Sequence, residues 1–210
     1  MNGKFMCKGF VLSLVMAFVL TSGIFGQSNT GIRQLGELLE KKEVTLKANG
    51  NGSSSGTAVY GVITNTTSAE IRVNVIINNG IYLANSGAGQ NMVATQVLLS
   101  GLSYYHDKNN YYIILKSNSA TSVVFIAYCA DFDRSNPAAA ESFAMAATPQ
   151  DIMEISARIS RYMADNFGDD ETVAVQLALW RSRGKNRSEI AKVFSFDDDD
   201  WNLSSKIMNY

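Results

Sequence analysis

The hydrophobic period changes once along this chain of 210 residues, near Pro137, and that change limits the folds open to it. Before Pro137, apolar residues recur at every second position in short runs. A period of two is typical of half-buried strands, because successive side chains point to opposite faces. After Pro137 the period is 3.6, which is typical of amphipathic helices. The sequence therefore predicts an α+β fold, with the strands first and the helices second.

The first part, residues 27–136, is predicted to form an antiparallel β-sandwich. In EIRVNVII, Ile71 and Val73 share one face while Arg72 and Asn74 share the other, as in a strand with one face in water. Turn-forming residues separate the runs, and several short strands at this spacing favour a sandwich. After an amphipathic piece at 32–42, the predicted strands lie in VTLKA, TAVYGVITN, EIRVNVIIN, NMVATQVLLS, YYIILKS and TSVVFIAYC.

Residues 137–210 are predicted to form a helical subdomain. The run AAAESFAMA is compatible with the start of a helix, and Thr148 and Pro149 offer an N-cap and a proline at the first helical position. Asn186, with Glu189 three residues later, comes close to a capping box. The helix that begins at Pro149 is predicted to end at Gly168. A second helix is predicted from Asp169 to Gly184, and a last short one in the tail DDDDWNLSSKIMNY.

The first residues have the order of a secretory signal peptide. Lys4 and Lys8 precede an apolar run from Phe10 to Leu20, and the small residues TSG follow it. The run is too short for a comfortable membrane span. We expect a signal peptide over residues 1–23, with cleavage after position 23 or 26, and a secreted or cell-surface protein without a membrane span after cleavage. An uncleaved anchor is the alternative.

The charge of the chain argues against nucleic acid as a partner. Without Lys4 and Lys8, 16 basic residues remain against 19 acidic ones, a formal charge of -3. No stretch gathers the basic residues that phosphate binding needs. The run from Asp197 to Asp200 lacks the alternation and central glycine of a calcium loop, so it predicts a helix start. The sequence predicts no metal and no cofactor, and it leaves the oligomeric state open.

Cys129 ends the apolar run VVFIAYC and has no second cysteine to pair with, because Cys7 precedes the expected cleavage site. A lone cysteine at a strand end is often a small buried hydrophobe. In an oxidising compartment, an exposed odd cysteine can instead pair between chains. A later helix carries Gln176 on the shoulder of an apolar stripe, where a partly desolvated amide needs a partner. That stripe consists of Val173, Leu177 and Trp180.

Tyr128-Cys129 at a strand end, followed in a later helix by Gln176 within VQLALW, resembles the thioester domains of bacterial surface proteins. The resemblance covers about residues 123–180. It implies that Cys129 and Gln176 join in an intramolecular thioester. Such a bond captures an amine or hydroxyl on a surface or matrix target, which is covalent adhesion and not enzymatic turnover. Val175 stands where the family pattern places a small residue.

The resemblance also implies a pocket around the proposed bond. A thioester survives only where water is kept away. Tyr128 and Trp180 are the expected walls of such a pocket, and Asp131 or Asp133 is expected to orient an incoming amine.

Two other interpretations remain open. The alternative is a non-catalytic secreted β-sandwich interaction or matrix protein whose buried cysteine is purely structural. The single histidine, His106, lies in YYHDKNNYY, a predicted hairpin tip at the surface. A second hairpin between residues 111–117 and 121–130 would bring His106 close to Cys129. A Cys-His pair of that kind would favour a hydrolase.

Overall fold

The computed structural model describes residues 31–108 and 110–210, so the expected signal peptide lies outside the described residues. The described chain is a mixed α+β fold. Its strands are β1 (Ile32–Arg33), β2 (Val44–Gly50), β3 (Ser55–Asn65), β4 (Ile71–Asn74), β5 (Ile76–Asn85), β6 (Met92–Leu99), β7 (Tyr105–Asp107), β8 (Asn110–Leu115), β9 (Ala120–Cys129) and β10 (Ser142–Met145). Its helices are α1 (Leu35–Glu40), α2 (Gln150–Asp165), α3 (Thr172–Ser182), α4 (Arg187–Ile190) and α5 (Asp198–Met208).

Six strands form a closed barrel in the order β10-β2-β3-β9-β6-β5, so the prediction of a sandwich is wrong. The closing strand is β10, which pairs antiparallel with β2 on one side and with β5 on the other. We expected a helix start here, because the segment is rich in alanine. Phe143 of β10 is only 7% exposed and packs in the barrel core, and burial of its ring outweighs local helix propensity. The strand-rich part therefore extends past the expected boundary at residue 136.

A second sheet of four strands, in the order β1-β4-β8-β7, lies beside the barrel. The run EIRVNVIIN, predicted as one strand, is divided between the two sheets at Val75. The backbone N–H of Val75 donates to the carbonyl of Tyr111 in β8, whereas its carbonyl accepts from the N–H of Val97 in β6. Val75 thus joins the smaller sheet to the barrel.

The part of the described chain after residue 150 contains helices and no strand, as predicted. The predicted N-cap of α2 is off by one position, since Pro149, with extended backbone, precedes the helix in place of Thr148. The capping box of Asn186 and Glu189 is confirmed at α4. A second capping box, formed by Asp197 and Asp200, begins α5, so the acidic run starts a helix as expected.

Helices α2 and α3 pack on the outer face of the barrel. Ile152 and Ile159 of α2 and Val175 and Leu179 of α3 form one apolar cluster with Tyr128 of β9. The opposite side of α3 contributes Leu177 and Trp180 to the barrel core. Helix α3 is therefore buried between two cores at the end of β9. None of the helices in the described residues has both the length and the apolar composition that crossing a membrane requires.

Candidate functional site

Cys129 is the last residue of β9, and its side chain is fully buried in the barrel core. In the ladder with β6 it lies directly opposite Met92. Residues that face each other across a ladder point to the same side of the sheet, and the Cys129 Sγ lies 3.6 Å from the Met92 Sδ. The thiol therefore belongs to the interior face of the barrel, and among the described residues it forms no disulfide.

Gln176 of α3 is fully buried and binds the backbone of Cys129 with both ends of its carboxamide. Its Nε2 donates to the Cys129 carbonyl at 3.0 Å. Its Oε1 accepts from the Cys129 N–H at 2.9 Å, a hydrogen that is shared with the carbonyl of Ser54 at 3.0 Å. The side-chain amide thus makes the pair of hydrogen bonds that the backbone of a neighbouring strand would make, at the point where the pairing between β3 and β9 ends. The structure brings the two predicted residues together at the junction of barrel and helices.

The sequence of α3 explains why Gln176 reaches that place. Residues 174–180 are all buried, because one side of the helix packs into the barrel core and the other against α2 and α5. In a helix buried on every side, a polar side chain has to find its partners inside the protein. At the strand end, the Cys129 carbonyl is an acceptor for Gln176, and the Cys129 N–H, which also donates to Ser54, is a donor.

The electrostatics of the site keep the thiol neutral. Burial, with a smaller contribution from the negative charge of Asp131, raises the pKa of Cys129 to about 12. A thiolate is therefore scarce at neutral pH. Burial also raises the pKa of the Tyr128 hydroxyl. Tyr128 lies on the outer face of the barrel and does not face the sulfur. It lines a cavity beside the loop between α2 and α3, whereas Trp180 lines another, so the expectation that the two rings wall one pocket is wrong.

A cavity of about 450 Å³, called here the Trp180 cavity, opens beside the junction. The Trp180 ring packs edge-on against Phe132 at 5.1 Å and against Phe194 at 5.3 Å between centroids. Its Nε1 is buried and has no hydrogen-bond partner among the described residues. The cavity is lined by Ala130, Asp131, Phe132, Asp133, Arg134, Trp180, Arg183 and Lys185.

The two candidate carboxylates of this cavity have different surroundings. Asp131 is held inward, because its Oδ2 accepts from the backbone and side-chain nitrogens of Asn91 at 3.0 and 2.7 Å. Its Oδ1 lies 3.7 Å from Arg183. Asp133 is largely exposed and pairs with Lys185 at 3.1 Å. Asp131 is thus the carboxylate with a fixed position near the end of β9.

His106 does not join this site. It lies on β7 at an exposed position, opposite Tyr111, in the smaller sheet. The expected hairpin between residues 111–117 and 121–130 is wrong, since β8 pairs with β4 and β7, whereas β9 pairs with β3 and β6. The imidazole and the buried sulfur of Cys129 therefore belong to different sheets.

Sequence reasoning missed two residues of the site. Met92 meets the sulfur only because β6 is the ladder partner of β9, and local periodicity carries no information on partners. Arg183 donates to the Ala130 carbonyl at 2.5 Å and to Asp151 at 2.8 Å, and it follows Gln176 by two helical turns on a similar face. That spacing was the available signal. Comparison with protein-family models, with curated proteins and with solved structures finds no match.

Proposed function

We propose that this chain is an exported protein that forms a Cys129–Gln176 thioester and binds a target covalently through it. The contact between the two residues carries the proposal. They are 47 positions apart in sequence, yet the Gln176 carboxamide is hydrogen-bonded to Cys129 itself. The pair is fully buried, which would protect an acyl–sulfur bond from water. Export rests on the composition of the first residues.

Bond formation would use the backbone as well as the side chains. The thiol of Cys129 adds to the Gln176 Cδ, the Cδ–Nε2 bond breaks, and the thiol proton leaves with the amide nitrogen as ammonia. Negative charge develops on Oε1 during this addition. The Cys129 N–H already donates to that oxygen at 2.9 Å, and a donor at this distance stabilises an oxyanion. No oxidant or reductant is needed, because the carbon keeps its oxidation state.

Capture of a target would proceed through the Trp180 cavity. Ala130, the residue after Cys129, lines this cavity, and so does Trp180, one helical turn after Gln176. A primary amine entering there attacks the acyl carbon, the carbon–sulfur bond breaks, and an amine proton returns to the Cys129 sulfur. The product is an amide at Gln176 and a free thiol. A hydroxyl gives an ester by the same route.

Intact-mass spectrometry of freshly purified protein tests the bond. We expect a mass lower than that of the sequence by one ammonia, and no reaction with a thiol reagent after unfolding in acid. Incubation with methylamine should add one methylamine to that mass, with the label on Gln176 in a peptide digest. Cys129→Ser and Gln176→Ala are the controls, and both should have their full mass. A wild-type chain of full mass with a titratable thiol at Cys129 would contradict the proposal.

A second candidate function is a non-catalytic interaction protein in which Gln176 only clamps the helices to the barrel. One observation favours it: the carboxamide uses both polar ends on the Cys129 backbone, while the sulfur points into the core toward Met92. A satisfied amide and a buried thiol are a stable arrangement in themselves. This candidate predicts full mass and no methylamine adduct, so the same measurement separates the two.

A further inference from the structure

A larger cavity of about 580 Å³, called here the acidic cavity, lies between the barrel wall and the loop that joins α2 to α3. It shares no lining residue with the Trp180 cavity. Its volume is in the range of pockets that bind small organic molecules. Neither the proposed thioester nor its capture step uses this cavity, so any ligand that it binds is independent of the proposed function.

Part of the lining of the acidic cavity is apolar. Leu98 and Ile126 come from the outer face of the barrel, and Met163 comes from the last turns of α2. Tyr104 and Phe167 also line the cavity and pack edge-on with their centroids 5.3 Å apart. Aromatic and aliphatic walls of this kind favour an apolar body, and aromatic faces also attract cations.

The charge of the lining has one sign. Asp169, Asp170 and Glu171 follow one another along the loop, and no basic side chain lines the cavity. Within the described residues, none of these three carboxylates has an ion pair. Glu171 accepts a hydrogen bond from the Tyr162 hydroxyl, which holds it in position. The cavity is therefore complementary to a positive charge.

We infer that the acidic cavity binds a small organic cation, an ammonium group attached to an apolar body. The apolar body would lie against Leu98, Ile126 and Met163, and the ammonium group would face the three carboxylates. A neutral ligand of the same shape should bind more weakly, because it lacks the charge that the carboxylates and the aromatic faces attract. An anion is repelled, because no basic side chain of the lining offsets the carboxylates.

Phenethyltrimethylammonium is the probe, because a quaternary nitrogen has no hydrogen to lose and cannot become acylated. Binding of this probe is therefore independent of thioester capture. Phenethyl alcohol is its neutral counterpart and hydrocinnamate its anionic one. Titrations are followed by NMR of the methionine methyl groups, with Met163 assigned through Met163→Leu. Met145, which is exposed and lines a different cavity, is the internal control.

We expect the Met163 signal to move while the Met145 signal stays in place. The cation should bind about tenfold more tightly than the alcohol, a difference of about 1.4 kcal/mol. Asp169→Asn combined with Asp170→Asn should weaken binding of the cation by about threefold to tenfold and leave the alcohol unchanged. Asp199→Asn, at an exposed position on α5, is the matched control. Equal affinity for cation and alcohol, an unmoved Met163 signal, or an unaffected double variant would each overturn the inference.

Discussion

The side-chain amide of Gln176 pairs with the backbone of Cys129 as a strand would, through hydrogen bonds of 2.9 and 3.0 Å. The pairing supplies a donor to the Cys129 carbonyl where β3 and β9 separate. A single side chain of α3 thereby fixes the end of a barrel strand to the helical part of the protein. The chemical proposal and the stability of the junction depend on the same two residues.

Gln176→Ala should lower the free energy of unfolding by about 2 to 4 kcal/mol, even where no thioester can form. The substitution leaves the buried carbonyl of Cys129 without its donor and opens a small cavity beside α3. The comparison is made in a Cys129→Ala background, by urea denaturation. Gln150→Ala, which removes an exposed amide bonded to Glu154, is the control. Equal losses for the two glutamines would show that the pairing does not stabilise the junction.

The pH dependence of stability should reveal the buried thiol. The pKa of Cys129 is about 12 in the folded chain, against an ordinary value of 9.0. Between these values the unfolded chain binds fewer protons than the folded chain, so stability falls as the pH rises. The contribution of the thiol is fully present below pH 9.0 and is lost toward pH 12.

Gln176→Ala is the suitable starting protein for this measurement, because it cannot form the proposed thioester and its Cys129 sulfur therefore remains free to titrate. We expect its free energy of unfolding to fall more steeply above pH 9.0 than that of the double variant with Cys129→Ala. The difference in slope should approach about 1.4 kcal/mol per pH unit. Tyrosines also titrate in this range, but they are present in both proteins. Identical slopes would mean that the thiol is not buried.

Trp180 should tolerate loss of its indole nitrogen better than loss of its ring. Its Nε1 is buried without a partner among the described residues, whereas the ring packs on Phe132 and Phe194. Trp180→Phe removes an unsatisfied donor and keeps most of the packing, so we expect a change within about 1.5 kcal/mol. Trp180→Ala should cost about 3 to 5 kcal/mol. A large loss in Trp180→Phe, measured by denaturation, would show that the nitrogen has a partner such as water.

The fold class was predictable from periodicity, but the architecture was not. Alternation with a period of two is shared by sandwiches and barrels, because both pack one face of each strand on a core. Closure depends on β10, whose four residues lie in an alanine-rich segment that locally favours a helix. Its pairing with β2 and β5 joins positions 58 to 95 residues apart, and such distant partners leave no local pattern.

The candidate site was predictable to a similar degree. Cys129 and Gln176 stood out as a polarisable group at a strand end and a polar group in an apolar helix. Their contact follows from how α3 docks on the barrel, which depends on both cores together. The inward position of Asp131 depends on Asn91 of the loop before β6, and neither residue indicates the other in the sequence.

Asp131 should govern the rate at which the proposed thioester captures an amine. Its carboxylate lines the Trp180 cavity and is fixed by Asn91, so it is placed to accept the proton that an attacking amine releases. A positioned carboxylate that accepts such a proton typically accelerates a reaction by about a hundredfold or more. The effect of Asp131 should be smaller, because its ion pair with Arg183 makes the carboxylate a weaker base. We therefore expect Asp131→Asn to slow methylamine incorporation by about tenfold or more.

The rate is measured by mass spectrometry as the growth of the methylamine adduct, starting from protein that lacks one ammonia. Asp133→Asn is the matched control, since that carboxylate is 80% exposed and faces Lys185 at the surface. We expect this control to capture methylamine at the wild-type rate. Both variants should form the thioester, because bond formation depends on Cys129 and Gln176 and not on a carboxylate of the cavity. Unchanged capture in Asp131→Asn would remove this residue from the mechanism while leaving the thioester proposal in place.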